Sequence, residues 1–440
     1  MILNLSYQKF SPNLFVDIEQ FARSSSADIG VVKIVSDILK DVKENADQAL
    51  IARTLLYDKV ELSKSDLQVS LSEMETAANS LLNEQKQAIN EAVENVSIFH
   101  QQNLPKDWTS KNLHGATIGE SYYPIKRVGL YVPGGNVPLV STVIMTAALA
   151  KVAGVSEIAV TTPPNKDGSI TPELLAALHI LGIKEVYKVG GAQAIGALAY
   201  GTETISPVDK IYGPGNAFVN EAKRQVFGIA GIDLLPGPSE VMVIADNTAN
   251  PAFTAAALIA QAEHGSGKEK IYLIFTNEDS FDLIKSAIQE QLHGLSHKQA
   301  ILEIFNVGFF AVHTNDLNKV AEVANFIAPE HLELQVDRES ISFLQKNITT
   351  AGALLLGHYS ATALGDFVAG PSHVLPTGRS SRFSSGLRIE DFFRRTSIIQ
   401  YDRQSVERAK SSAMVFSKME RLDGHGNSVA IRLNRTQQDD

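Results

Sequence analysis

Apolar positions follow two different periods along this chain, and the changes of period mark its parts. Residues 1–25 show no clear period, and 26–103 read as mostly helical. Leu82, Ile89, Val93, Val96 and Phe99 recur near helical spacing, and a Ser72–Glu75 capping box predicts one packing helix over about 72–100. At Val128 the texture changes. VGLYV (128–132) is a continuous apolar run, as a strand buried on both faces requires, and Pro133-Gly134-Gly135 closes it. A helix from about Pro138 to Ala153 is expected next. Strands at 157–162, 185–189 and 209–212 then alternate with helices at 172–181, 192–200 and beyond 216. A second series has strands at 241–246, 271–275, 308–312 and 353–357, with helices near 251–263, 278–291 and 316–326. Repeated strand–turn–helix units predict parallel pairing with helical crossovers. The expected fold is therefore α/β: two Rossmann-like parallel-sheet modules with crossover helices, plus small N-terminal and C-terminal helical segments. The boundary between modules falls near Leu235–Pro238, and from 390 onward the chain reads as polar and helical with a frayed tail.

Composition narrows the function classes. The 440 residues hold 39 Lys+Arg against 49 Asp+Glu, a net charge of -10. Phosphate backbones call for a basic stripe, and no Lys/Arg run supplies one, so no nucleic-acid partner is expected. No apolar run reaches spanning length, and the N-terminus lacks the basic-then-apolar pattern of a signal peptide. A cytoplasmic protein that does not enter a membrane is expected. The absence of cysteine removes disulfides, Cys-ligated zinc, iron–sulfur clusters and any thiol nucleophile.

Candidate chemistry gathers in five places. Three glycine turns, Pro133-Gly134-Gly135, Gly190-Gly191 and Gly213-Pro214-Gly215, follow strands of the first module. Each alone reads as a turn and none is a GxGxxG fingerprint, but three at helix N-termini suit a nucleotide. Gln261 and His264 share one face at a helix end, where His264 reads equally as a metal ligand or a C-terminal cap. Glu330 beside His331 offers two proton-transfer groups, or else a Glu at a helix start facing the dipole. The irregular stretch 365–389 carries Asp366, His373 and Arg382. Glu420 and His425 lie in a C-terminal segment where a surface role is the plain alternative. Gln261, His264, Asp366 and His425 would make a cysteine-free N/O zinc set, although spacing alone does not bring them together. HExxH, GxxxxGK[ST] and GxSxG motifs are absent, which disfavours a zincin protease, a P-loop NTPase and a nucleophile-elbow hydrolase.

These residues sit in motifs that resemble the histidinol dehydrogenase family. RVGLYVPGG (127–135), VGGAQAIGALAYGT (189–202), KIYGPGNAFVNEAKR (210–224) and GPSEVMVIAD (237–246) carry the resemblance. QAEHG (261–265), APEHLEL (328–334), GDFVAGPSHVLPTG (365–378) and RFSSGL (382–387) continue it in order along nearly the whole chain.

The resemblance implies oxidation of L-histidinol to L-histidine through histidinaldehyde, with NAD and one zinc per subunit. It implies a homodimer whose active sites draw on both chains. It places Gln261, His264, Asp366 and His425 as zinc ligands, His425 from the partner chain. Glu330 and His331 become the acid–base pair. Ser239, His373 and Glu420 become substrate contacts beside the metal ligands and His331, and Tyr131, Gln193 and Asn216 become NAD contacts. The implied division is an N-terminal segment 1–25; an α/β domain of 26–127 and 239–388 carrying most zinc and catalytic residues; an NAD-binding domain 128–238; and a C-terminal dimerisation segment 389–440. Departures from the pattern are Ser372 for Asn, Arg421 for Gly, and differences at Asn136, Val137 and Val140. Arg421 beside Glu420 is the departure that could alter the substrate pocket, by pairing with that carboxylate. Two other readings stand beside this one: a related zinc- and NAD-dependent alcohol dehydrogenase for another small hydroxylated substrate, and a catalytically silent scaffold. Retention of His373, Glu420 and His425 favours the first over the second, and the intact acid–base pair argues against the third.

Overall fold

The computed structural model describes residues 3–23, 29–134, 139–264 and 267–434. Gly135, the departures Asn136 and Val137, the helix start at Pro138 and the tail 435–440 lie outside the described residues.

Strands Arg127–Tyr131, Glu157–Thr162, Glu185–Lys188, Lys210–Tyr212 and Gly231–Ile232 form one wholly parallel sheet. Its spatial order places 185–188 outermost, then 157–162, 127–131, 210–212 and 231–232. The chain runs outward from 127–131 and returns to its other side, so the order reverses between Tyr131 and Tyr212. A second parallel sheet has six strands. Glu240–Ala245 lies between Lys270–Phe275 and His331–Gln335, with Phe309–His313 and Ala353–Leu356 beyond them. Its order reverses between Glu240–Ala245 and His331–Gln335. The strand Glu240–Ala245 is buried throughout: Val241, Val243 and Ala245 enter one core, and Met242 and Ile244 enter the other. Alternate side chains point to opposite faces, which is why a doubly covered strand reads as an unbroken apolar run. The expected α/β architecture with two parallel modules is observed.

Several local expectations need correction. The helix expected over 72–100 is two helices, Leu71–Ser80 and Asn83–Gln101, separated where Leu81 and Leu82 are extended. Ser70 rather than Ser72 caps the first, accepting from Glu73 N–H at 3.1 Å. The N-terminal segment is not only helical. Gln8–Lys9 pairs with Val312 and His313 as an edge strand, and the following helix Leu14–Arg23 buries Leu14 and Ile18. The C-terminal segment opens with a strand, Phe393–Gln400, antiparallel to Thr117–Pro124. Its side chains are mostly exposed, so no alternation of apolar and polar positions announced it. Two helices, Arg403–Met419 and Asp423–Ala430, follow.

Shared cores show which sheet each helical segment covers. Val35, Leu39 and Val42 share a core with Ala194, Ile195 and Leu198. Met74 and Val96 share one with Leu130, Val160 and Leu174. The helices of 29–101 therefore cover the five-stranded sheet, whereas Leu3, Leu5, Leu14 and Ile18 belong to the six-stranded one. Each such buried aliphatic side chain contributes about 1.5–3 kcal/mol, so these cores decide the partition. Val374, Leu387, Ile389 and Phe392, from the irregular stretch and just after it, enter the five-stranded module's core.

Candidate active site

At the carboxyl edge of the five-stranded sheet the glycine turns converge on Tyr131. Gly191 N–H donates to the Tyr131 hydroxyl at 3.1 Å. A Cβ on Gly213 would lie 2.1 Å from the Tyr131 carbonyl oxygen, and Gly213 has φ +111°, so only glycine fits. A Cβ on Gly134 or Gly190 would meet Pro163 at 2.4 Å. The backbone here is packed as closely as it can be, at the strand-order reversal where open α/β sheets bind ligands. Gln193 is buried in the helix Gly191–Tyr200. Asn216 caps the helix Ala217–Val226, its side-chain oxygen accepting from Phe218 and Val219 N–H. Burial pushes the Tyr131 phenol up to about 12, so it stays neutral.

The second cluster lies at the amino edge of the six-stranded sheet. The helix Leu317–Ile327 ends on Ala328 in the left-handed region, and Pro329 turns the chain into strand His331–Gln335. No helix starts at Glu330, which corrects the dipole alternative. Glu330 instead sits buried at a strand entrance, where Gly352 N–H donates to Pro329 O at 2.9 Å and Ala353 N–H to Glu330 O at 2.8 Å. Its carboxylate accepts from Glu240 N–H at 2.7 Å and lies 3.9 Å from His331 Nδ1. Burial drives the Glu330 carboxyl up to about 7, although the charge of His331 pulls it down. Ser239, half-buried, is the residue before Glu240 and its carbonyl accepts from Lys270 N–H.

His331 Nε2 lies 3.3 Å from Asp366 Oδ1. Burial works to lower the imidazole pKa, but the Asp366 hydrogen bond and the two carboxylates overcome it, raising it to about 9. Burial likewise opposes ionisation of Asp366, and contact with His331 holds its carboxyl below the usual range. The short helix Thr362–Phe367 delivers Asp366. His373 Nδ1 lies 3.0 Å from the Asp366 carbonyl, and its Nε2 is 3.4 Å from Thr142 Oγ1. Burial lowers the His373 pKa. A cavity of about 310 Å³ opens beside His331 and His373, with Leu354, Leu356, Tyr359 and Leu364 on its apolar wall.

Gln261 lies in the last turn of the helix Pro251–Ala262, and His264 follows two residues beyond its end. Gln261 is buried with its amide nitrogen unpartnered, an exception that a ligand to its side chain would explain. His264 Nδ1 is 3.2 Å from the Ala260 carbonyl. That is a cap contact, and it also leaves Nε2 available, as a metal-bound imidazole requires. The charge of His264 is felt at Glu330, Asp366 and His373. Among the described residues no three His, Cys, Asp or Glu group to hold a metal. Gln261, His264 and Asp366 carry the oxygen and nitrogen donors that a cysteine-free zinc site would use. His425 and Glu420 are exposed on the C-terminal helices and make no hydrogen bond or ion pair with this cluster. Arg421 forms no pair with Glu420, contrary to expectation; it sits at φ +56°, a conformation that explains why glycine is usual there. Ser372 is buried and donates to the Met145 carbonyl at 3.1 Å, inside a π-helical turn at Ile144–Ala148.

Sequence reasoning missed three supporting residues. Glu240 holds Glu330 through its N–H, and its own buried carboxyl is driven up to about 8. An ionisable residue opening an otherwise apolar strand was the available signal. Thr142 faces His373, and Asn95 Nδ2 donates to Val368 O at 3.0 Å, bracing the loop between Asp366 and His373. Nothing in the sequence marks these two.

The sequence model of the family described as histidinol dehydrogenase matches residues 21–433. The histidinol dehydrogenase of Clostridium acetobutylicum is 40% identical over 410 residues, covering 93% of this chain and 94% of that protein. Histidinol dehydrogenase 1 of a Nostoc species is 39% identical over 434 residues, covering 98% of each. The crystal structure of histidinol dehydrogenase from Elizabethkingia anophelis superposes with a TM-score of 0.91 at 33% identity, covering 97% of this chain and 96% of that one. Coverage of this extent spans both sheets and every motif of the site, and the chain belongs to the histidinol dehydrogenase family.

Proposed function

We propose that this enzyme oxidises L-histidinol to L-histidine through histidinaldehyde, using two NAD and one zinc per subunit, in histidine biosynthesis. The observation that carries the reading is the buried Glu330–His331–Asp366 group, with His373 against Asp366 and His264 within charge range, in a chain of this family. Gln261, His264, Asp366 and a partner chain's copy of His425 would hold the zinc, which supplies a Lewis acid able to fix the imidazole and amine nitrogens of the substrate. Tyr131, Gln193 and Asn216, at the glycine turns, would hold NAD, which would supply the hydride acceptor.

The protein's own groups then do the following. Ser239, His373 and Glu420 orient the substrate so that its carbinol carbon faces the nicotinamide position. His331 takes the hydroxyl proton in the first oxidation. A cation held at Asp366 would offset the carboxylate charge that raises the His331 pKa, favouring the neutral imidazole that accepts a proton. No cysteine can capture the aldehyde, so water must add to it. Glu330, whose carboxyl lies near neutrality, is suited to draw the proton from that water. The second hydride leaves the resulting gem-diol, giving the carboxylate.

The test is NADH formed per L-histidinol consumed, before and after chelation and zinc add-back. Two NADH, lost on chelation and restored by zinc, is the expected result. One NADH with free aldehyde would remove Glu330 from the hydration step, and none from metal-replete protein would point to another small hydroxylated substrate. The shared-site dimer is tested by mixing inactive His331→Ala and His425→Ala chains. Activity should reappear in the mixture, and its absence from verified heterodimers counts against sharing.

A further inference from the structure

Lys223 and Asp233 form a buried ion pair, with side chains 0% and 1% exposed. Isolated buried charges are expensive, and such a pair is often no more stable than well-packed apolar residues would be. Here each member also holds the same glycine. Lys223 Nζ donates to the Gly213 carbonyl at 2.9 Å, and Gly213 N–H donates to Asp233 Oδ2 at 2.8 Å. Both polar backbone atoms of Gly213 are thus fixed by one ion pair. Gly213 is the residue packed against the Tyr131 carbonyl at the strand-order reversal, and it opens the turn to Asn216. Asn220 extends the clamp, its amide donating to Gly215 O at 3.1 Å and also to Pro236 O. Lys223 is one helical stretch beyond the turn and Asp233 follows the edge strand Gly231–Ile232, so only the tertiary fold joins them.

We infer that Lys223 and Asp233 are positioning residues for the dinucleotide: their ion pair holds the Gly213–Asn216 turn in the shape that receives NAD. This rests on the NAD reading above. The pair touches neither the Glu330–His331 cluster nor the residues fitted to zinc, so its influence should fall on the dinucleotide alone.

The variant to make is Lys223→Leu with Asp233→Leu, which removes both charges together and strands neither. Metal content, the KM for L-histidinol and the KM and equilibrium Kd for NAD are measured on intact protein. A lost set of positioning hydrogen bonds should raise KM and Kd for NAD on the order of tenfold, with metal content unchanged and the L-histidinol KM within about twofold. A general loosening of the fold would instead move both KM values together, and that result overturns the assignment. If the unaltered enzyme binds NAD and the double variant binds it equally well, the assignment fails while the NAD reading stands. If the unaltered enzyme shows no saturable NAD binding, the NAD reading fails and the assignment with it. Should the double variant not fold, Lys223→Arg is read by the same measurements. It keeps the charge but cannot reproduce the single-point contact with Gly213, and an unchanged NAD affinity there also overturns the assignment.

Discussion

The two parallel sheets use opposite edges. In the five-stranded sheet the carboxyl edge carries the glycine turns around Tyr131, and the amino edge is structural. There Arg127 lies 3.1 Å from Glu157 and 2.6 Å from Glu185, tying three adjacent strands together. In the six-stranded sheet the assignment is inverted. Ser239, Glu240, Glu330 and His331 occupy the amino edge of the two strands flanking the order reversal. At their carboxyl edge Asp246 is held by hydrogen bonds on both oxygens. One oxygen of Asp246 accepts from Thr248, and the other accepts from Asp337 N–H at 2.8 Å. On the proposed function, a similar architecture would supply a dinucleotide crevice in one module and a proton-transfer site in the other. On that reading the carboxyl-edge rule describes only one of the two sheets.

The largest expected effect breaks the amino-edge site. Glu330→Gln should slow turnover of supplied histidinaldehyde by about 10²–10⁴, the usual worth of a general base, while NAD affinity stays put. Separate assays on alcohol and aldehyde check this, and equal slowing of both steps removes Glu330 from water activation. Gly213→Ala attacks the carboxyl edge. Its new Cβ cannot be placed without moving Tyr131 or the turn, a strain of about 1–3 kcal/mol. NAD KM should rise by up to about a hundredfold without loss of metal, as titration and elemental analysis would read; parallel loss of metal would mean the two edges are not separable.

A smaller effect probes a helix that covers the five-stranded sheet. His100 is buried on the helix Asn83–Gln101 with both ring nitrogens unpartnered, and burial lowers its pKa to about 4. The unfolded chain binds a proton there near pH 6.5 while the folded one does not. Its contribution is thus fully present above that pH and is lost as pH falls toward 4. His100→Leu should flatten the decline of the unfolding midpoint across this window, and an unchanged slope would show that His100 does not drive it. The smallest effect is a control outside both edges. Arg421→Gly relieves a left-handed residue and should stabilise by about 1 kcal/mol, seen in thermal unfolding with kinetics unaltered; altered L-histidinol KM would restore the expected role of Arg421 at the pocket.

Much of this was readable along the chain. Strands 240–245 and 270–275 are buried on both faces, so their apolar runs are unbroken and their limits were legible to within a residue or two. The strand His331–Gln335 was not, because Glu333 and Gln335 alternate with Leu332 and Leu334 and are buried through hydrogen bonds. Glu333 accepts from Thr362, and Gln335 meets Thr254 and Glu333. A buried polar residue that finds its partners in distant elements looks like a surface residue in the sequence. The same reason hid Thr142, buried against His373.

What the sequence alone determined was the class of fold, the exclusion of thiol chemistry, the three glycine turns and the inventory of carboxylates and imidazoles. Local propensity and composition suffice for these, since each depends on residues near one another in the chain. Tertiary structure decided which sheet the helices of 29–101 cover, which edge of each sheet is used, and which acid meets which base. Those choices depend on burial and on contacts such as Glu240 with Glu330, 90 residues apart, and His331 with Asp366. Desolvation and hydrogen bonding at such contacts set the proton affinities of the site, and neither exists until the chain has folded.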